Sequence, residues 1–207
     1  MRFLRMCAAV MRRLRHGMPV IVVSGLPRSG TSMAMRMLEA GGISIAADHV
    51  RPADALNPHG YYELEAVKTL DKSGDPGWLA AARGKAVKVV SHLITWLPET
   101  YDYQVIFMER RLEEVVASQN RMLAERGHAA EATDDLRTRA LYEKHLVQTL
   151  RFLAGRRCFS VLRLRYEDAV QQPREAARRI AAFLGRRMDI DAMAAVVDPA
   201  LHRHRAR

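Results

Sequence analysis

The pattern of apolar and polar residues along the chain predicts several buried strands. Val20 to Val23 is an unbroken β-branched run, which is typical of a parallel strand covered on both faces. Three further apolar stretches have the length and composition of strands: Lys85 to Val90, Gln104 to Met108 and Cys158 to Arg165. We also expect a short strand at Ile43 to Ala46.

Between these strands, apolar residues recur at helical spacing. Thr31 to Ala40 is predicted to be a helix that ends at Gly41-Gly42, where glycine permits a left-handed cap. A shorter helix is expected to begin near Leu64. Longer helices are predicted over Leu112 to Leu123, Leu136 to Leu153 and Pro173 to Leu184. The alternation implies a three-layer α/β fold with a mainly parallel central sheet flanked by helices, and a ligand at the carboxyl ends of the strands.

The length of 207 residues suits one α/β domain with a sizeable core. We expect a single domain over residues 19–207, preceded by a basic amphipathic extension at residues 1–18. That extension is too charged and too short to span a membrane, and it lacks the features of a secretory signal. It is expected to be a helix packed on the domain or an extension ahead of a start near Met18. The alternative is weak contact with an anionic membrane surface.

The charge balance restricts the class of partner. With 33 basic and 23 acidic residues the formal net charge is +10, which suits a polyanionic small ligand, a nucleic acid or an anionic surface. Aromatic residues are sparse and are not interleaved with the basic ones, so no nucleic-acid partner is expected. Cys7 and Cys158 lie far apart without metal-ligand spacing, which favours a reduced, cytoplasmic setting.

The loop after the first strand has the character of an anion site. A strand, a glycine-bearing loop and a helix N-terminus place unpaired N–H groups and the positive end of the helix dipole beside a ligand. Gly25, Gly30 and Ser32 keep the spacing of a nucleoside-triphosphate P-loop, so we expect a P-loop-like fold. However, Thr31 stands where that loop has lysine. The cation is instead Arg28, whose guanidinium can bind phosphate or sulfate oxygens.

The sequence PRSGTS, Pro27 to Ser32, resembles the 5′-phosphosulfate loop of sulfotransferases that use 3′-phosphoadenosine 5′-phosphosulfate (PAPS), whose usual form is P-[KR]-S-G-[ST]-[ST]. The resemblance is to the bacterial type. It implies that Arg28 contacts the transferring sulfuryl group and the bridging oxygen. By the same resemblance the 5′-phosphate would be held by Ser29, Gly30, Thr31 and Ser32.

A second motif follows the Gln104 to Met108 strand. Arg110 stands at the strand end and Ser118 lies two turns into the next helix, so both can reach one anion beside the first loop. The spacing R-x7-S resembles the 3′-phosphate site of the same family. Glu114 and Val115 also fall in register with it.

Two residues are candidates for the base that takes the acceptor proton. The stretch NPHGYYE, which ends at Glu63, resembles one common in bacterial sulfotransferases. Ser91-His92-Leu93 resembles the histidine region of cytosolic sulfotransferases, with Lys88 upstream as an assisting cation. Near the C-terminus, the YED motif at Tyr166 resembles a structural element of the family. In its bacterial members a late arginine closes over the nucleotide, which makes Arg203 a candidate.

The resemblance thus implies transfer of a sulfuryl group from PAPS to a hydroxyl or amine of a small-molecule or peptide acceptor, which releases 3′-phosphoadenosine 5′-phosphate (PAP). No metal is expected, because no carboxylate cluster is placed to hold one. Two alternatives stay open: a P-loop small-molecule kinase, and a nucleotide-binding domain without catalysis.

Overall fold

The structure, a computed structural model, describes residues 17–48, 60–73, 77–125, 127 and 135–198. Most of the predicted extension at residues 1–18 and the candidate Arg203 lie outside the described residues.

A four-stranded parallel sheet forms the centre of the molecule. The strands are β1 (Val20–Gly25), β2 (Ala86–Lys88), β3 (Tyr103–Glu109) and β4 (Phe159–Arg165), in the spatial order β2-β1-β3-β4. β1 is central, and Val22 is in register with Val87 on one side and Val105 on the other. All six residues of β1 are buried, as the unbroken apolar run predicts for a strand covered on both faces.

Helices cover both faces of the sheet. They are α1 (Thr31–Ala40), α2 (Glu65–Lys68), α3 (Leu70–Ser73), α4 (Trp78–Ala82), α5 (Leu112–Glu125), α6 (Asp135–Ala154), α7 (Tyr166–Gln171), α8 (Pro173–Leu184) and α9 (Ile190–Ala195). A 3₁₀ turn spans Ile94–Trp96. Among the described helices, none combines the length and the apolar composition needed to cross a membrane.

The alternation of side chains along β1 divides the core in two. Ile21 and Val23 point to one face and pack with α1, α8 and α9, whereas Val20 and Val22 point to the other and pack with α2, α4 and the end of α6. This is the period-2 geometry of a strand, which serves two helical layers from one apolar run. The expected three-layer α/β fold with a parallel central sheet is confirmed.

Two element predictions differ from the structure. The predicted strand at Lys85 to Val90 shortens to three residues at the sheet edge. The predicted strand at Ile43 to Ala46 is reduced to a single parallel bridge, between Ile45 and Ala86. Both belong to the β2 side of the sheet, where pairing with β1 covers only Ile21 to Val23.

Candidate active site

A cavity of about 380 Å³ opens at the carboxyl ends of the strands. It receives residues from the loop after β1, the segment before α2, the end of β2, the β3–α5 turn and the start of α7. Its charged or hydroxyl-bearing lining residues are Arg28, Thr31, Ser32, Arg36, Tyr61, Glu63, Lys68, Lys88, Arg110, Ser118, Arg121, Glu125, Tyr166 and Asp198. This volume lies within the range of pockets that hold small ligands.

The loop between β1 and α1 turns through backbone conformations that L-residues seldom adopt. Arg28 has φ 70° and Gly30, the N-cap of α1, has φ 97°. Left-handed geometry at a residue with a side chain costs free energy and tends to occur at functional sites. The loop therefore presents Arg28 and the first turn of α1 to the same space.

Tyr166 packs directly against this loop. A Cβ at Gly30 would lie 2.4 Å from Cδ2 of the Tyr166 ring, so only glycine fits there. The ring also lies under the Arg110 guanidinium, with Cζ 4.4 Å from its centroid, a cation–π distance. Burial raises the pKa of the Tyr166 phenol, which keeps it neutral. Tyr166 thus joins the first loop to the second motif.

Two hydrogen bonds connect the motifs, although their residues are 90 and 82 positions apart in the chain. Arg28 Nε donates to Ser118 Oγ at 3.0 Å, and Arg110 Nη1 donates to the Arg28 carbonyl at 3.2 Å. The two cations and the hydroxyl form one continuous surface. The two motifs that are expected to reach a common ligand are therefore adjacent.

Arg110 is held from several sides and is almost fully buried. Its Nε donates to Glu114 Oε2 at 3.0 Å, an i,i+4 pair in which the Glu114 side chain is 1% exposed. Its Nη2 has no hydrogen-bond partner among the described residues. A buried donor without a partner is costly, so this nitrogen suits an anionic ligand.

The turn before α5 has an acidic partner of its own. The Arg111 backbone N–H donates to Glu167 Oε1 at 3.3 Å, and Glu167 is buried beside Tyr166 in α7. Thus the YED motif, for which the resemblance implies a structural role, supports the Arg110 turn while its tyrosine lines the cavity.

Glu63 lies at another part of the cavity wall between two lysines. Its Oε2 is 3.0 Å from Lys68 Nζ and its Oε1 is 3.9 Å from Lys88 Nζ. Lys88 Nζ also donates a short hydrogen bond to the Tyr61 carbonyl. Lys88 therefore faces the segment that carries Glu63.

His92 is not brought to the cavity. It is exposed and is not among the lining residues, although its neighbour Leu93 is. The preceding residue, Ser91, is buried and bonds to His145 Nε2 at 2.8 Å. Burial, and secondarily the nearby His92, lowers the pKa of His145, so the ring is neutral at pH 7.

Ser29 also differs from its expected placement. Its side chain is 1% exposed and does not line the cavity, because it lies under the loop against Gly25. A Cβ at Gly25 would come within 2.5 Å of Ser29 Oγ and of the Met108 carbonyl oxygen. Ser29 accordingly contributes to the turn beneath the anion-facing residues.

Several cavity residues were not singled out from the sequence as site residues. Tyr166 follows the end of β4, and the convergence of parallel strand ends at one edge would have pointed to it. Lys68 and Arg36 had no motif to mark them. Burial lowers the pKa of Arg36, and Tyr62 and Asp198 nearby act in the opposite direction. In the described part of the chain, no group of three or more His, Cys, Asp or Glu is arranged to hold a metal ion.

Comparisons with known proteins find solved structures that share this fold. Sulfotransferase STF9 from Mycobacterium avium is 14% identical, with a TM-score of 0.56 over 100% of this chain and 74% of its own. Sulfotransferase STF1 from Mycobacterium tuberculosis H37Rv is 19% identical, with a TM-score of 0.55 over 93% and 75%. The sulfotransferase domain from the curacin biosynthetic pathway is 16% identical, with a TM-score of 0.51 over 89% of each chain.

Identities this low establish a shared fold alone, and no curated protein matches the chain significantly. The family model of the sulfotransferase domain, however, matches residues 19–203, nearly the whole chain. This protein therefore belongs to the sulfotransferase domain family.

Proposed function

We propose that this protein transfers a sulfuryl group from PAPS to a hydroxyl or amine of an acceptor molecule. The observation that carries the proposal is the pair of bonds that unites the two anion-binding motifs, from Arg28 to Ser118 and from Arg110 to the Arg28 carbonyl. A ligand with an anionic group at each end would contact both motifs at once. Membership of the sulfotransferase family supports the same reaction class.

The residues present fit PAPS. The unpartnered Nη2 of Arg110 is a buried donor suited to a phosphate, and the N-terminus of α1 suits a second one. Thr31 and Ser32 line the cavity at that helix start, beside Arg28. We therefore assign the 3′-phosphate to Arg110 and Ser118, and the 5′-phosphosulfate to Arg28 and the first turn of α1.

Bound PAPS supplies the sulfuryl group: the acceptor oxygen or nitrogen forms a bond to sulfur while the bond from sulfur to the bridging phosphate oxygen breaks, and that electron pair stays on PAP. Arg28 would stabilise the negative charge on the leaving oxygen and on the sulfuryl oxygens. A fixed cation in a protein cavity needs no reorganisation at the moment of reaction.

Glu63 would accept the proton that the acceptor loses. It lines the cavity with a side chain 20% exposed, whereas His92 does not line it. General-base assistance is typically worth about 10²–10⁴-fold in rate. Lys88 would serve as an assisting cation on the Glu63 side of the cavity, where its ammonium lies near the Glu63 carboxylate.

Calorimetric titration with PAP tests the donor assignment. We expect uptake of one PAP per chain, weaker uptake of adenosine 5′-monophosphate because it lacks the 3′-phosphate, and no comparable uptake of ATP with magnesium. Arg28→Ala should lower turnover of ³⁵S-labelled PAPS, measured with a panel of phenols, alcohols and amines, by roughly 10²–10³-fold, as for loss of one transition-state donor.

Arg178→Ala is the charge-matched control, because this exposed arginine on α8 pairs with Glu175 and does not line the cavity. Its turnover should equal that of the unaltered protein. No heat of PAP binding by folded protein, or undiminished turnover in Arg28→Ala, would contradict the proposal.

A further inference from the structure

The carboxylate of Glu63 is held by cations from two different elements. Lys88 ends the edge strand β2 and is 9% exposed, whereas Lys68 ends the short helix α2 and is 48% exposed. Each lysine approaches a different oxygen of the carboxylate, Lys68 at 3.0 Å and Lys88 at 3.9 Å. Lys68 is therefore within hydrogen-bond distance of the carboxylate, and Lys88 is a second cation close to it.

The backbone around Glu63 is also restrained. Tyr62 has φ 51°, a left-handed conformation unusual for an aromatic residue, and its hydroxyl donates to Glu39 Oε2 at 2.6 Å. Lys88 binds the Tyr61 carbonyl, and the Glu63 carbonyl accepts from the Asp48 N–H at 3.2 Å. Strain of this kind persists only where the surrounding contacts impose it.

We infer that Lys68 is a positioning residue, which together with Lys88 clamps the Glu63 carboxylate in the orientation that receives the acceptor proton. The inference rests on the proposed function, because it assigns Glu63 the role of base. Lys68 occupies Oε2 at hydrogen-bond distance, and Oε1 lies beyond that distance from the Lys88 ammonium.

The charges around Glu63 favour its ionised form. Among the described residues, Lys68 and Lys88 are cations beside it, and the acidic groups Asp48 and Glu65 have partners of their own. The Asp48 carboxylate accepts from the Glu65 N–H at 2.5 Å, and the Glu65 carboxylate binds Lys68 at 2.5 Å. Two nearby cations stabilise a carboxylate anion.

Lys68 also contacts Glu65, and a simpler explanation is that Lys68 serves only to pair with that residue. Its i,i+3 pair with Glu65 is exposed on both sides, and such pairs contribute little to stability. The contact with Glu63 differs, because that side chain is only 20% exposed and lines the cavity. The two accounts make different predictions for variants at Lys68 and Glu65.

The direct test is a carbon-13 NMR titration of the Glu63 carboxyl, which is assigned by its loss in Glu63→Gln. In Lys68→Met the titration midpoint should rise by up to about one pH unit, which is the unscreened interaction of an ammonium with a carboxylate at 3.0 Å in water, and by less as salt screens it. Lys68→Arg should keep the midpoint of the unaltered protein. Lys72→Met removes the same charge from the adjacent helix α3 and should leave the midpoint in place.

Turnover of labelled PAPS by these variants then tests positioning. Lys68→Met should lower kcat by roughly tenfold with KM unchanged, because even a displacement of about 1 Å can cost about 10² in rate. The acid limb of its pH profile should move to higher pH. Lys68→Arg should recover most of the rate, and Glu65→Gln should match the unaltered protein.

The outcomes separate this inference from the proposed function. If PAP binds and Glu63→Gln loses turnover, but Lys68→Met matches Lys72→Met in midpoint and kcat, the clamp is refuted and the function stands. If Glu63→Gln retains full turnover, the clamp fails because Glu63 is not the base. If PAP does not bind, the proposed function and the clamp fall together.

Discussion

At the scale of single residues, Gly30 is the tightest constraint on the candidate site. It has a left-handed backbone, and the Tyr166 ring lies where a Cβ would be. Gly42 is also left-handed, at φ 90°, but a Cβ added there would meet no atom within 4 Å. A comparison of alanine substitutions at these two glycines therefore separates the cost of backbone strain from the cost of a collision with Tyr166.

We expect Gly30→Ala to destabilise the fold and to weaken PAP binding. Left-handed geometry alone costs about 1–2 kcal/mol for an alanine, which is the loss expected for Gly42→Ala. The added collision with Tyr166 should bring the loss in Gly30→Ala to about 3 kcal/mol or more. Urea unfolding measures both losses, and calorimetry should find PAP affinity reduced at least tenfold in Gly30→Ala only. Equal behaviour of the two variants would contradict this account of the loop.

The individual site residues were predictable from sequence to different degrees. Arg28, Arg110 and Ser118 lie in motifs of fixed spacing, and the structure brings all three together. Lys68 was not singled out, because its contact with Glu63 depends on how the segment before α2 turns. His92 follows a strand, but the loop there turns its side chain outward and buries Ser91 instead.

At the scale of elements, burial on both faces explains why β1 and β3 were predictable. β1 and β3 are almost wholly buried and contain unbroken apolar runs, so their positions follow from composition. β2 and β4 are both edge strands, but β2 pairs with β1 over three residues and β4 pairs with β3 over seven, so the length of an edge strand depends on its pairing as well as on its own sequence. Helix α8 was equally predictable, because Pro173 begins it and the left-handed Gly185 ends it.

One contact between elements should make stability depend on pH. His145 on α6 bonds to Ser91, which follows β2, and burial lowers the pKa of His145. The unfolded chain therefore binds a proton at His145 more readily than the folded protein does. The contribution of this contact to the free energy of unfolding is complete above about pH 6.5 and is lost as the pH falls below that value.

His145→Gln should reduce this acid sensitivity, because glutamine can bond to Ser91 without titrating. The measurement is urea unfolding at pH 7.5 and pH 5.0. His92→Gln serves as the control, since His92 is exposed and should leave most of the pH dependence in place. An unchanged difference between the two pH values in His145→Gln would contradict the assignment.

At the scale of the whole molecule, the parallel sheet explains why distant motifs meet. The ends of β1, β2, β3 and β4 lie at one edge, and each contributes to the cavity or to the loop beside it. The order β2-β1-β3-β4 places β1 next to β3, which brings Arg110 beside the Arg28 loop. The sequence predicts the alternation of elements, whereas this spatial order is determined by packing.

A ligand that bridges these strand ends should stabilise the molecule as one unit. We expect residues 19–207 to form a single domain, so differential scanning calorimetry should give one unfolding transition. PAP at 100 times its dissociation constant should add about 2.7 kcal/mol. For a chain of this length that corresponds to a rise in Tm of about 5–10 °C.

Arg110→Gln should show a smaller rise at the same PAP concentration, because it loses the donor assigned to the 3′-phosphate. A second transition that PAP leaves unmoved would mean that the cavity belongs to only part of the chain and that the single-domain prediction is wrong.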